Sequence, residues 1–203
     1  MASVDKERIE AAVAEILAAI GEDPAREGLA QTPRRVAALY AELFGSVGAD
    51  PAAALGSTFG APDGGGHASA QPVLMRDITF RSVCEHHLLP FEGVVHVAYV
   101  PGAVVAGLGS VVAVVESASS RPQLQERLTD DIAEALERGL GASGVLVVVD
   151  AKHGCVSARG PRQTRSTTLT LAARGSLAEP AARAETIALI GTDASRRVTG
   201  ETA

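Results

Sequence analysis

Four consecutive residues, Cys84-Glu85-His86-His87, bring together a thiol, an acid and two imidazoles. Cys84 and His87 stand in Cys-x-x-His spacing, a short turn able to aim a thiolate and an imidazole at one ion. Zinc prefers such sulfur and nitrogen donors and binds them tetrahedrally. The second of the chain's 2 cysteines, Cys155, lies in Lys152-His153-Gly154-Cys155, again beside a histidine. Two thiolates and one imidazole make three protein ligands. A structural zinc site is closed by four ligands, whereas a catalytic one leaves the fourth place to water. The pattern therefore predicts a hydrolytic zinc centre held by Cys84, His87 and Cys155, with His86 and His153 free for proton transfer. Two blander readings compete: buried apolar thiols, or a disulfide, which a reducing cytosol disfavours. The histidine next to each cysteine favours the metal.

Composition bounds what can surround such a centre. The chain has 203 residues, 46% of them hydrophobic and only 3% aromatic, so its core is built from small and branched aliphatics. That length suits one domain with an appendage. A net charge of -6 argues against non-specific nucleic-acid binding. No apolar run approaches a membrane span, and the first residues lack the order of a signal peptide. A cytoplasmic protein without a membrane or nucleic-acid partner is expected.

The elements that must position the ligands follow from hydrophobic period. Residues 4–20 read as an amphipathic helix, capped by Ser3 and stopped by Gly21. A second helix opens at Thr32-Pro33, with Val36, Leu39, Tyr40, Leu43 and Phe44 as its apolar face. Arg34 and Arg35 oppose the dipole at its start, so an anion, an acidic neighbour or solvent must compensate. Residues 1–50 thus form an N-terminal helical region and 51–72, rich in Gly and Pro, a flexible loop containing His67. Residues 73–175 carry the chemistry and 176–203 form a tail, helical near 179–190. Within the central part, strands are expected at 73–82 and 93–101, helices at about 110–119 and from Arg121 to about Leu140, and strands at 144–151 and 166–173. His96 alternates out of phase with Val95 and Val97 and reads as a solvent-face or interface residue. The expected class is α+β, a four-stranded antiparallel sheet with two helices on one face and both ligand turns at strand ends. Its open edges imply association between subunits.

Three stretches carry a resemblance. Ser82-Val83-Cys84-Glu85-His86-His87-Leu88-Leu89-Pro90-Phe91, Arg121-Pro122-Gln123-Leu124-Gln125-Glu126-Arg127-Leu128-Thr129 and His153-Gly154-Cys155-Val156-Ser157-Ala158-Arg159-Gly160 resemble GTP cyclohydrolase I in order and spacing. Thr32-Pro33-Arg34-Arg35-Val36 and Arg76-Asp77-Ile78 extend the match over roughly residues 30–175. The resemblance implies the tunnelling fold, a homodecamer of two face-to-face pentamers with active sites between subunits, and Zn2+ on Cys84, His87 and Cys155. It implies opening of the GTP imidazole ring at C8, formate release and reclosure to 7,8-dihydroneopterin triphosphate, in pterin and folate biosynthesis. His153 becomes the proton donor and His86 its partner. Gln125 and Glu126 match positions that hold the guanine edge, and Arg35 and Arg159 belong to the phosphate set.

Departures from the family pattern fall in the triphosphate positions. Where the family carries Ser-Lys-x-x-Arg, this chain reads Gly109-Ser110-Val111-Val112-Ala113, and Ala38 stands where the second helix usually has a basic residue. Each charge-assisted contact is worth roughly 1.5–3 kcal/mol, so losing three weakens triphosphate binding by orders of magnitude unless Arg162, Arg165 or another group substitutes. The alternative is a paralogue that opens a guanine nucleotide or nucleoside with fewer phosphates or none. A catalytically silent, zinc-stabilised oligomer would not need His86, His153, Gln125 and Glu126. A nitrile reductase of related fold would need a nucleophilic cysteine, and both cysteines fit ligand positions better.

Overall fold

A computed structural model of the chain describes residues 4–61 and 71–191. Ser3, His67 and the end of the tail lie outside the described residues. Helix α1 (Lys6–Ala19) is capped by Asp5, whose carboxylate accepts from the Arg8 N–H at 3.0 Å. Helix α2 (Thr32–Leu43) begins one residue earlier than a Thr32 cap would allow: Gln31 is the cap and makes no side-chain bond. The pair packs together, yet α1 buries no residue, and Ile16 and Ile20 stay exposed.

The stretch read as a flexible loop holds more order than its composition suggests. Pro51–Leu55 forms a 3-10 turn capped by Asp50, and Leu55 is buried. Strand β1 (Thr58–Gly60) pairs antiparallel with β4 (Val104–Ala106) as a small separate sheet. Neither element is long enough to leave a periodic pattern.

The main sheet joins β2 (Val73–Cys84), β3 (Pro90–Val100), β6 (Gly144–His153) and β7 (Thr168–Gly175) through antiparallel ladders. It has five strands rather than the expected four, in the order β5-β2-β3-β6-β7. The extra strand β5 (Pro122–Gln123) runs parallel to the end of β2, pairing Val83 with Pro122 and Cys84 with Gln123. The expected helix from Arg121 therefore starts later. Pro122 lacks an N–H and restricts Arg121 to extended backbone, and the Glu85 N–H is bonded to the Gln123 carbonyl at 3.1 Å instead.

Helices α3 (Leu108–Ser119) and α4 (Gln125–Leu140) cover one face of this sheet, as expected. The main core lies between, where Val95, Val97, Val147 and Val149 of the strands meet Leu128 and Ile132 of α4. The period-2 alternation sends Ala98, Val100, Leu146 and Val148 to the opposite face, where Leu177 and Ile190 close a smaller core. Ile190 comes from α6 (Pro180–Gly191), within the expected helical part of the tail. His96 also faces away from the main core. Its Nδ1 accepts from the Asp77 N–H at 3.2 Å, at a bulge where Asp77 takes a positive φ of 58°. No helix among the described residues is long and apolar enough to cross a membrane.

Candidate metal centre

Two chain reversals build the cluster. Cys84 ends β2, where its N–H donates to the Leu89 carbonyl at 2.9 Å and its own carbonyl accepts from Leu88. Leu88 closes the reversal at φ 52°, a left-handed conformation unusual for a branched side chain. That turn carries His86 and His87, both exposed, out over the end of the sheet. The other reversal follows β6: His153 is the cap of the single-turn helix α5 (Gly154–Ser157), whose second residue is Cys155. Gly154 must be glycine here, because a Cβ would lie 2.7 Å from the Pro90 carbonyl oxygen.

Adjacent strands β3 and β6 bring the two reversals side by side. Cys84, His87 and Cys155 each offer a donor atom, and these atoms lie within 4.8 Å of one another. Cys84 is buried, Cys155 half-buried and His87 exposed, so the cluster opens to solvent on the histidine side. Both cysteines are free thiols, which removes the disulfide reading. Burial, with the neighbouring Cys84 sulfur, pushes the Cys155 thiol above its ordinary range. Two adjacent sulfurs resist becoming anions together, and a bound cation reverses that preference. The soft donor set and its spacing therefore fit zinc. The Arg159 guanidinium donates to His87 Nε2. A metal must take the other ring nitrogen of His87 or displace Arg159.

Beside the cluster the His153 ring is held by one stacking contact and one hydrogen bond. Its ring stacks on Phe91, its cross-strand partner, with centroids 4.7 Å apart and planes 3° from parallel. Its Nε2 meets Gln125 Oε1 at 2.6 Å. Burial holds its pKa below the usual imidazole value, partly opposed by the Glu126 carboxylate. Glu126 is exposed in the first turn of α4. Gln125 is not: its side chain is 2% exposed and bonded inside the protein. Sequence reasoning passed over Phe91, Thr129 and Thr170 around this histidine. The one available signal was the i,i+4 spacing that stacks Thr129 over Gln125 on α4.

The remaining site residues are more scattered. Glu85 accepts two bonds from Arg127, at 2.6 and 3.2 Å, bracing the ligand turn against α4. Arg35 is exposed on α2, and among the described residues no hydrogen bond or ion pair joins it to the cluster. Ser110 donates to the Ser57 carbonyl at 3.2 Å, Ala113 is half-buried on α3 and Ala38 is exposed on α2. Arg159, Arg162 and Arg165 share the exposed loop after α5, with Arg162 at a positive φ of 51°.

Fold and cluster together define an α+β protein with a candidate three-ligand metal centre beside a half-buried histidine. The family model described as GTP cyclohydrolase I matches residues 9–191. GTP cyclohydrolase 1 of Leifsonia xyli subsp. xyli (strain CTCB07) is 60% identical over 195 residues, covering 96% of this chain and 100% of that protein. GTP cyclohydrolase 1 of Rhodopirellula baltica is 49% identical over 193 residues, covering 95% of this chain and 82% of that protein. The crystal structure of the archaeosine synthase QueF-Like in the apo form aligns with a TM-score of 0.42 and 23% identity, covering 53% of this chain and 96% of that one. The chain belongs to the GTP cyclohydrolase I family and is a hydrolase of that family.

Proposed function

We propose that this protein is a zinc-dependent cyclohydrolase of the tunnelling fold. It hydrolyses the imidazole ring of GTP at C8, releases formate and recloses the ring to 7,8-dihydroneopterin triphosphate. The observation that carries this reading is the convergence of Cys84, His87 and Cys155 donor atoms within 4.8 Å, next to a histidine held in a fixed orientation.

Cys84, His87 and Cys155 would hold the zinc. Bound there, it would supply the Lewis acidity that makes a water nucleophilic toward the electron-poor ring carbon. His153 exchanges a proton with the ring nitrogen that leaves, a task suited to an imidazole poised near neutrality. His86, exposed on the ligand turn, serves as its partner at the mouth of the site. Glu126 is free to accept from the ring N–H and the exocyclic amine of guanine, which selects guanine over adenine. Gln125 can add its main-chain N–H, which lies in the open first turn of α4. Arg159 and, from the helical region, Arg35 contact the phosphates.

The working form is a homodecamer of two pentamers, with sites between subunits. Exposed Ile16, Ile20, Leu169 and Leu189 support self-association. Two cysteines that must stay thiols support a cytoplasmic setting.

The phosphate end favours a second reading. Ser110, Ala113 and Ala38 offer no charge, and Ser110 is tied to Ser57. Either Arg162 and Arg165 replace the missing cations, or the substrate carries fewer phosphates. Steady-state formate release with GTP, GMP and guanosine tests both. Turnover of GTP with the other two inert supports the first reading and ends the second. Equal or better turnover of GMP or guanosine establishes the second.

A further inference from the structure

We propose that Gln125 is a positioning residue for His153 rather than a side-chain contact to substrate, and that Thr170 and Thr129 hold it in that role. The inference rests on the proposed reaction only for its kinetic readout.

The direction of every bond follows from donor chemistry. Gln125 Nε2 lies 3.1 Å from the Val149 carbonyl oxygen and 2.8 Å from that of Thr168. Carbonyl oxygens only accept, so the amide nitrogen must face them, and a flipped amide would set oxygen against oxygen. Oε1 is thereby fixed toward His153 Nε2 at 2.6 Å. An amide oxygen also only accepts, so that ring nitrogen must carry the hydrogen. In the neutral ring Nδ1 is then the bare nitrogen, and it is the one left to exchange a proton with a ligand.

A closed ring of bonds locks the amide. Thr129 gives its single hydroxyl hydrogen to the Gln125 main-chain carbonyl at 2.7 Å. It must therefore accept from Thr170 across their 2.6 Å contact. Thr170 in turn accepts from Gln125 Nε2 at 3.1 Å, sharing the amide's two hydrogens with the Val149 and Thr168 carbonyls. Gln125 is 2% and Thr129 1% exposed, so water does not compete for these bonds. The ring joins α4 to β7, the Val149 carbonyl and His153 tie it to β6, and Phe91 presses flat on the imidazole it orients. A glutamine side chain consumed in this way has no donor left for a base.

The test uses the zinc-loaded, assembled protein with 15N-labelled histidine, in wild type, Gln125→Met, Thr170→Val and Thr170→Ser. The imidazole resonances of His153 are assigned by their loss in His153→Ala. The proposal expects a single tautomer protonated at Nε2 in wild type, and a mixture in Gln125→Met and Thr170→Val. It expects kcat for formate release to fall about 10- to 100-fold in Gln125→Met, as for loss of an orienting partner, while KM stays within about twofold. Thr170→Val should lose activity in the same sense, and Thr170→Ser, which keeps the hydroxyl, should recover most of it. Unchanged tautomer populations in both variants overturn the proposal, as does a loss that falls on KM. If the wild type releases no formate from GTP, the proposed reaction fails, and the tautomer spectra still decide the role of Gln125.

Discussion

Each ligand position makes its own demand on its neighbours. Cys84 sits at the last position of β2, and its sulfur reaches Cys155 because β3 and β6 pair Phe91 with His153. Replacing Cys84, His87 or Cys155 with Ala should reduce bound zinc from about one per chain to a small fraction, measured by elemental analysis, and abolish formate release. A variant that keeps full zinc would remove its residue from the ligand set. Glu85 makes a different prediction. Its pairing with Arg127 holds the carboxyl below the ordinary value of 4.5. A depressed carboxylate contributes stability that is present above its unfolded pKa and disappears as pH falls through the folded one. The melting difference between wild type and Arg127→Ala should therefore be present near neutral pH and vanish in the acid range. A difference that persists or grows there contradicts the ion pair.

Elements decide whether the ligands meet. The single turn of α5 can lie against β3 only because Gly154 has no side chain. Gly154→Ala should force a backbone shift, cost about 1–3 kcal/mol and weaken zinc retention, read together by denaturation and competition with a chelator. Unaltered zinc affinity would mean that α5 tolerates the displacement. Element types were legible wherever a period runs long. The apolar stripe of α4, through Leu128, Ile132 and Leu136, and the unbroken Val145–Val149 of β6 announce a buried helix and a buried strand. The two-residue β5 and the β1–β4 pair are too short for any period. They exist because neighbours supply their hydrogen-bond partners, such as the Gln123 carbonyl bonded to Glu85. The convergence of Cys84, His87 and Cys155 was legible because zinc chemistry admits few residue types. The burial of Gln125 was not, since a polar residue at a helix start looks the same whether it faces solvent or the sheet.

At the scale of the whole molecule, one chain assembles the candidate metal cluster, His153 and Glu126 but leaves the proposed phosphate end thin. Arg35 stands apart from the cluster, and α1 and β7 leave Ile16, Ile20 and Leu169 in solvent. A subunit from a neighbouring copy would cover such surfaces, so sedimentation should show a large homo-oligomer near ten copies; a monomer at micromolar concentration contradicts that assembly. Zinc should also stabilise the assembled fold, because a ligand that binds only the native state raises its stability by mass action. The most direct test of the account is formate released from GTP by the same preparation with zinc bound and after chelation. Turnover should rise in proportion to zinc content, vanish on chelation and return on adding the metal back. Full formate release from metal-free protein would contradict it.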